Sequence, residues 1–256
     1  MFNLTAILSG SIVGLILGIV GGGGSIIAVP LLLYVVGVPS AHVAIGTSAV
    51  AVAVSAFANL LTKLRQGLVK WRCILVFTAA GLAGNFAGSS LALKIEGQHL
   101  LIAFGILMVV VGMVMLLRRD AEGDPDVKLT FKTARHMLPW LLSVGLAVGA
   151  LSGFFGIGGG FLIVPGLMLA TGMPIANAIA TSLVAITIFG AATSANYAWS
   201  GFVEWDVATN FIAGGIVGGI GGTLLQSRLA SQKGLLNTIF ACFVVAIGCF
   251  LIFKRV

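Results

Sequence analysis

Apolar runs of seventeen to twenty-four residues follow one another along the chain, separated by short polar or glycine-rich breaks. Leu4 to Val20 is the first run, Ala41 to Leu64 the third, Cys73 to Leu93 the fourth and Leu100 to Leu117 the fifth. Each reads as a helix long enough to cross a hydrocarbon layer of roughly 30 Å. The second, Ser25 to Val36, spans only about 18 Å at 1.5 Å per residue. It starts after Gly21-Gly22-Gly23-Gly24 and stops at Gly37-Val38-Pro39. Ten-residue segments of alternating polarity, the mark of a membrane β-barrel, are missing.

The same order then begins again. Met137 to Phe155 is a span, and Gly156-Ile157-Gly158-Gly159-Gly160 repeats the glycine cluster. Gly160 to Thr171 is a second short helix of about 18 Å, ended by Gly172-Met173-Pro174. Thr181-Ser182 answers Thr47-Ser48, Gly201 and Trp205 answer Gly67 and Trp71, and Gly215, Gly218 and Gly222 answer Gly81, Gly84 and Gly88, all at an offset of 134 residues. A constant offset marks an internal duplication. The chain therefore divides into a first repeat at 1–118, a linker at 119–136 and a second repeat at 137–256. The fold expected is an all-α polytopic membrane protein with two inverted-topology repeats of about five helical segments each. Whether the short segments make ten spans, or eight spans plus two hairpins, stays open.

Composition agrees. Of 256 residues 59% are hydrophobic and 8% charged, with a mean hydropathy of +1.16; soluble domains carry about 25% charged residues. The net charge of +7 is read first as basic anchoring of cytoplasmic loops. The turn holding Lys63, Lys70 and Arg72 is placed inside, as is the linker after Arg118. The matching turn Ser200 to Asp206 has no Lys or Arg and is placed outside. The turn between Arg228 and Lys233 then falls inside and both termini outside. These assignments agree only if the halves are inverted. Lys254-Arg255 and Lys94 run against the rule. The first segment has no basic start and reads as a retained span. The expected class is an integral membrane protein.

The glycine clusters are where chemistry is expected. A helix that starts inside the membrane presents unpaired N–H groups and a positive dipole end, which suit an anion. Paired glycine-interrupted short segments in two halves are the sequence pointer to a transporter site. The candidate ligand contacts are Gly22, Gly23, Gly24, Ser25, Gly158, Gly159 and Gly160, with the hydroxyls of Thr47, Ser48, Thr181 and Ser182. The bland alternatives are tight helix packing for the glycines and back-bonding to the helix for the hydroxyls. Asn59 and Asn196 lie at membrane depth and serve as helix glue or as further contacts. His42 and Asn177 read as interfacial. Gly81, Gly84, Gly88 and their second copies read as packing faces.

Several classes are excluded. No carboxylate sits in mid-span, so an acidic proton relay is absent. No Walker lysine follows the glycines. Cys73, Cys242 and Cys249 lack metal spacing, and no basic-aromatic run points to nucleic acid. No nucleophile, base and acid constellation appears, so the chain is not read as an enzyme and no cofactor is expected. The partners are a small anion and the lipid bilayer; oligomeric state is left open, a homodimer included.

Gly18-Ile19-Val20-Gly21-Gly22-Gly23-Gly24 with Pro30, Gly46-Thr47-Ser48, and their copies Gly153-Phe154-Phe155-Gly156-Ile157-Gly158-Gly159-Gly160 with Pro165 and Ala180-Thr181-Ser182 resemble the sulfite exporter TauE/SafE family over nearly the whole chain. Ile157 departs from the glycine of the first copy. The resemblance implies a bacterial or archaeal transporter of the inner (plasma) membrane that exports sulfite, an organosulfonate such as sulfoacetate, or a related small anion. An anion channel and a non-transporting membrane assembly protein are the rival readings.

Overall fold

A computed structural model describes residues 4–20, 22–64, 67–117, 131–156, 160–228 and 233–253. Within them every regular element is helical, the form in which a chain satisfies its own backbone groups in lipid. In order they are α1 (Leu4–Val20), a 3₁₀ turn at Gly22–Gly24, α2 (Ser25–Leu31) running on into a wider π turn at Leu32–Val36, α3 (Ala41–Leu64), α4 (Trp71–Ala92), α5 (Gly97–Leu117), α6 (Phe131–Phe155), α7 (Gly160–Thr171), α8 (Ile175–Trp199), α9 (Trp205–Arg228) and α10 (Lys233–Phe253). Six of these are long and apolar enough to cross a membrane: α3, α4, α5, α6, α8 and α9. The protein is an all-α polytopic membrane protein. α6 starts at Phe131, earlier than the expected Met137, so the last third of the expected linker is helical; residues 118–130 lie outside the described part.

The short helices fold back. A β-carbon at Gly24 would touch the Leu17 amide nitrogen and the Val13 carbonyl, both at 2.5 Å. In a straight helix residues seven apart are about two turns, or 10.5 Å, distant. The chain thus reverses at the glycines and lays α2 against α1. α7 does the same: Gly166 packs on Val144 and Val148 of α6, after Gly156 ends α6 in the left-handed conformation at φ +63. Both short segments are arms of helical hairpins. Pro30 sits inside α2. It has no N–H to give and crowds the preceding turn, and the helix widens to π geometry directly after it.

Glycine seams hold the long helices. In one, Gly10, Gly14 and Gly18 of α1 lie on the carbonyls of Phe211, Gly215 and Gly219 of α9. In the other, Gly145, Gly149 and Gly153 of α6 lie on the carbonyls of Phe77, Gly81 and Asn85 of α4. Both pairs run parallel, and each partner in one seam matches its partner in the other at an offset of 134 or 135 residues. No side chain larger than hydrogen fits these crossings, so glycine sets how close the backbones approach. The packing role expected for Gly81, Gly84, Gly88, Gly215, Gly218 and Gly222 is seen directly, since Gly84, Gly88, Gly218 and Gly222 meet the carbonyls of Leu146, Ala150, Ser11 and Leu15.

α3 and α8 are central and antiparallel. Gly46 near the start of α3 touches Tyr197 near the end of α8, and Gly190 touches Ala49 and Ala53. α5 and α10 are also antiparallel, with Gly105 against Gly248 and Gly112 against Val245. Leucines such as Leu4, Leu8 and Leu15 point outward and exposed, as a lipid-facing surface requires. Trp71 and Trp140 are exposed near the starts of α4 and α6, and Trp199 and Trp205 flank the α8–α9 turn, as interfacial belts do.

Candidate functional site

The breaks come to rest against the central pair. The Gly22–Gly24 turn packs on α1, α7 and α8. Gly156 packs on Ile45 of α3, the residue before Gly46-Thr47-Ser48. Gly156, at the head of the second glycine cluster, is thereby brought to the turn of α3 that carries the first Thr-Ser pair, a meeting that sequence spacing alone does not reveal. Gly23, Gly24, Ser25 and Gly160 are all buried. Gly22 lies in the 3₁₀ turn, while Gly158 and Gly159 lie outside the described residues.

The four hydroxyls divide by type. Ser48 donates to Ile45 O at 2.9 Å and Ser182 to Ile179 O at 2.8 Å, the back-bonding arrangement. The threonines reach across the fold. Thr47 Oγ1 accepts the backbone N–H of Glu204 at 3.1 Å, and Thr181 Oγ1 accepts that of Lys70 at 3.0 Å. Each threonine pins the loop of the other half over the first turns of its own helix, and keeps its O–H proton to donate. Asn177 adds a tie from Nδ2 to Leu68 O at 2.9 Å. His42 answers it by lying 5.4 Å from the ring of Phe202, with Nε2 3.3 Å from Ala92 O. Both residues therefore bind loops.

Asn196 donates to Ser89 Oγ at 2.8 Å and to Ser90 Oγ at 3.2 Å, which makes it glue between α8 and α4. Asn59 differs. Its Oδ1 accepts from Thr223 Oγ1 at 3.4 Å, its amide lies against Gly219, and its Nδ2 is buried without a partner. Asn85, which sequence reading passed over among the glycines of its span, is built the same way. Thr193 Oγ1 donates to its Oδ1 at 3.1 Å and its Nδ2 is also buried without a partner. The two are related by the repeat: Asn59 and Gly219 on α3 and α9 correspond to Thr193 and Asn85 on α8 and α4. A threonine on each oxygen turns the NH₂ group, a pure donor, away from other acceptors. Each such orphan costs about 1–3 kcal/mol.

Lys63 is expected at the end of the third span, beside a basic cytoplasmic turn, and it does lie in the last turn of α3; its burial, at 6% exposed, was not foreseen. Its neighbours Leu60, Leu61 and Leu64 were the available signal. Among the described residues no group of His, Cys, Asp and Glu is arranged to hold a metal.

Helical spans, two folded-back short helices and buried polar groups at their ends define a multi-pass membrane transporter. A model of the family "Sulfite exporter TauE/SafE" matches residues 6–251, and the chain belongs to that family. It is 50% identical over 246 residues to a "Probable membrane transporter protein" of Xylella fastidiosa (strain Temecula1), covering 96% of this chain and 93% of the relative. It is 28% identical over 264 residues to the "Probable membrane transporter protein YunE" of Bacillus subtilis, covering 96% of each, and 28% identical over 189 residues to the "Probable membrane transporter protein MJ0441" of Methanocaldococcus jannaschii, covering 71% of this chain and 67% of the relative. No solved structure matches the chain at a significant level.

Proposed function

We propose that the protein is a secondary exporter of a small oxyanion, sulfite or an organosulfonate such as sulfoacetate, working by alternating access of two inverted repeats. The reading rests above all on the reversal at Gly24, which leaves the N-terminal end of α2 inside the protein. A buried helix start offers amide donors and positive potential, and these replace the hydration of an anion. The ligand groups are the amides of Gly22, Gly23, Gly24, Ser25, Gly158, Gly159 and Gly160, the hydroxyls of Thr47, Ser48, Thr181 and Ser182, and the amides of Asn59, Asn196 and, newly, Asn85. Inversion of repeats 1–118 and 137–256 about the linker 119–136 is supported by the antiparallel contacts of α3 with α8 and of α5 with α10, since each helix there meets its own counterpart.

Counterflow in proteoliposomes, screened over sulfite, sulfoacetate, sulfate and chloride, tests the reading. Saturable, trans-stimulated flux of sulfite or sulfoacetate is expected. Gly23→Leu should abolish it while the protein still inserts. Flux that rises linearly with concentration, or survives in Gly23→Leu, refutes the carrier site. Reporter tags at both ends should be extracytoplasmic; a cytoplasmic amino terminus refutes the inverted arrangement.

A further inference from the structure

We propose that Lys63 is the charged recognition residue for the anion on one face only, and that this makes binding from the two faces unequal. The inference rests on the transport reading above. Among the described residues Lys63 is the one buried charged side chain. A lysine at a helix end ordinarily keeps its head in water, as exposed Lys94 does after α4. An ionisable side chain buried in a spanning helix is costly and marks a ligand pathway.

The antiparallel register says which pathway. Gly46 lies at Tyr197 and Gly190 at Ala49 and Ala53; carried along both helices, this brings Lys63 level with Ala180, beside Thr181 and Ser182. The loop above is fastened at that level by the Lys70 N–H to Thr181 Oγ1 and by Asn177 to Leu68 O. Lys63 thus lies at the level of the pinned loop and of a Thr-Ser pair already placed in the site. An ammonium there supplies the full positive charge that amide dipoles lack.

The other half carries no such charge. The position equivalent to Lys63 is Tyr197, fully buried, with a hydroxyl that has no partner. The Thr181–Ser182 end therefore offers a cation and the Thr47–Ser48 end a neutral hydroxyl. Lys63 shares its end of the molecule with Lys70 and Arg72, the face that the positive-inside rule assigns to the cytoplasm. An anion leaving the cell meets the charged end first.

The experiment measures zero-trans flux of sulfite and of sulfoacetate in right-side-out and inside-out vesicles. For Lys63→Gln the KM at the cytoplasmic face is expected to rise at least tenfold, with the opposite KM changed less than threefold. Lys63→Arg should stay within about threefold of wild type at both faces, and Tyr197→Phe should leave the cytoplasmic KM alone. Should Lys63→Gln fail to fold, amine acylation of the wild-type protein, mapped by mass spectrometry, decides: sulfoacetate should protect Lys63 and not Lys94. Normal cytoplasmic KM in Lys63→Gln, equal shifts at both faces, or no protection overturns the inference while wild-type flux and loss of flux in Gly23→Leu leave the transport reading standing. A wild-type protein that carries neither anion overturns both.

Discussion

Replacing Asn85 by leucine separates a ligand donor from helix glue, because the two roles predict opposite stability changes. The side chain is fully buried, accepts one hydrogen bond from Thr193 and leaves Nδ2 without a partner. Leucine keeps the branched arrangement of heavy atoms, so no cavity is opened, and its bulkier methyl groups offset part of the gain worked out below. The lost Thr193 bond is worth about 0.6 kcal/mol inside a membrane protein, and Thr193 can turn its hydroxyl back to the Phe189 carbonyl one helical turn away. Removing the orphan NH₂ relieves about 1–3 kcal/mol. The variant should therefore be about as stable as wild type, or more stable by up to roughly 2 kcal/mol. If the amide meets the anion, saturable flux should fall at least tenfold. Thermal unfolding in detergent, followed by size-exclusion chromatography, reads the first quantity, and counterflow reads the second. A variant that loses 2 kcal/mol or more and still transports would show that Asn85 only fastens α4 to α8, and the reasoning from unpartnered donors would fall with it.

The glycine seams and the threonine ties give two further outcomes. Gly149→Leu forces a side chain onto the Gly81 carbonyl; it should lower stability by about 3 kcal/mol or more, beyond the usual overpacking range of 1–3, and should be lost from the membrane fraction, whereas an intact, stable variant would refute the close crossing. Thr181→Val strands the Lys70 N–H and Thr47→Val strands that of Glu204; each should cost about 1–3 kcal/mol and raise labelling of a cysteine placed in the loop it releases, with no rise in the opposite loop. Loops that respond alike to both variants would refute separate ties.

Much of this fold was legible because membrane helices must be apolar throughout, and the spans from Leu4 to Phe155 emerge from hydropathy with shifts of a few residues at their ends. The start of α6 is the larger miss. Phe131 to His136 is polar enough to read as linker, yet a spanning helix can continue into water, and hydropathy marks only where lipid begins. The short helices and the glycine breaks before them were readable, because twelve residues cannot cross the bilayer, but hydropathy left open whether they fold back as hairpins. The wiring between halves was not readable. That Gly156 touches Ile45, or that Thr181 takes the Lys70 N–H, depends on which helices are neighbours, and a single sequence carries no record of that. Asn85 was hidden among Gly81, Gly84 and Gly88, where a packing face is the ordinary reading. Lys63 was grouped by its charge with the basic turn that follows its helix, and nothing in that grouping told that its side chain is buried.

The cross-ties bear directly on how a duplicated unit closes over a ligand. Each central helix begins beneath a loop that belongs to the other half: the Leu68–Lys70 segment over α8 and the Phe202–Glu204 segment over α3. Neither half can cover its own helix start, so closure at either end requires the two halves to be in register there. If one half rocks against the other about the antiparallel α3–α8 contact, it separates the loop and helix at one end while pressing them together at the other. Both ties are formed together in this structure, and the proposed alternating access requires one of them to break at a time. The threonine bond in each tie is worth about 1 kcal/mol net, small enough for the binding of an anion to break, and the Leu68–Lys70 segment has the Asn177 bond to Leu68 O besides. The glycine seams of α1 on α9 and α4 on α6 hold each hairpin to the opposite half, so α1, α2 and α9 pack as one group and α4, α6 and α7 as another, each drawing helices from both repeats.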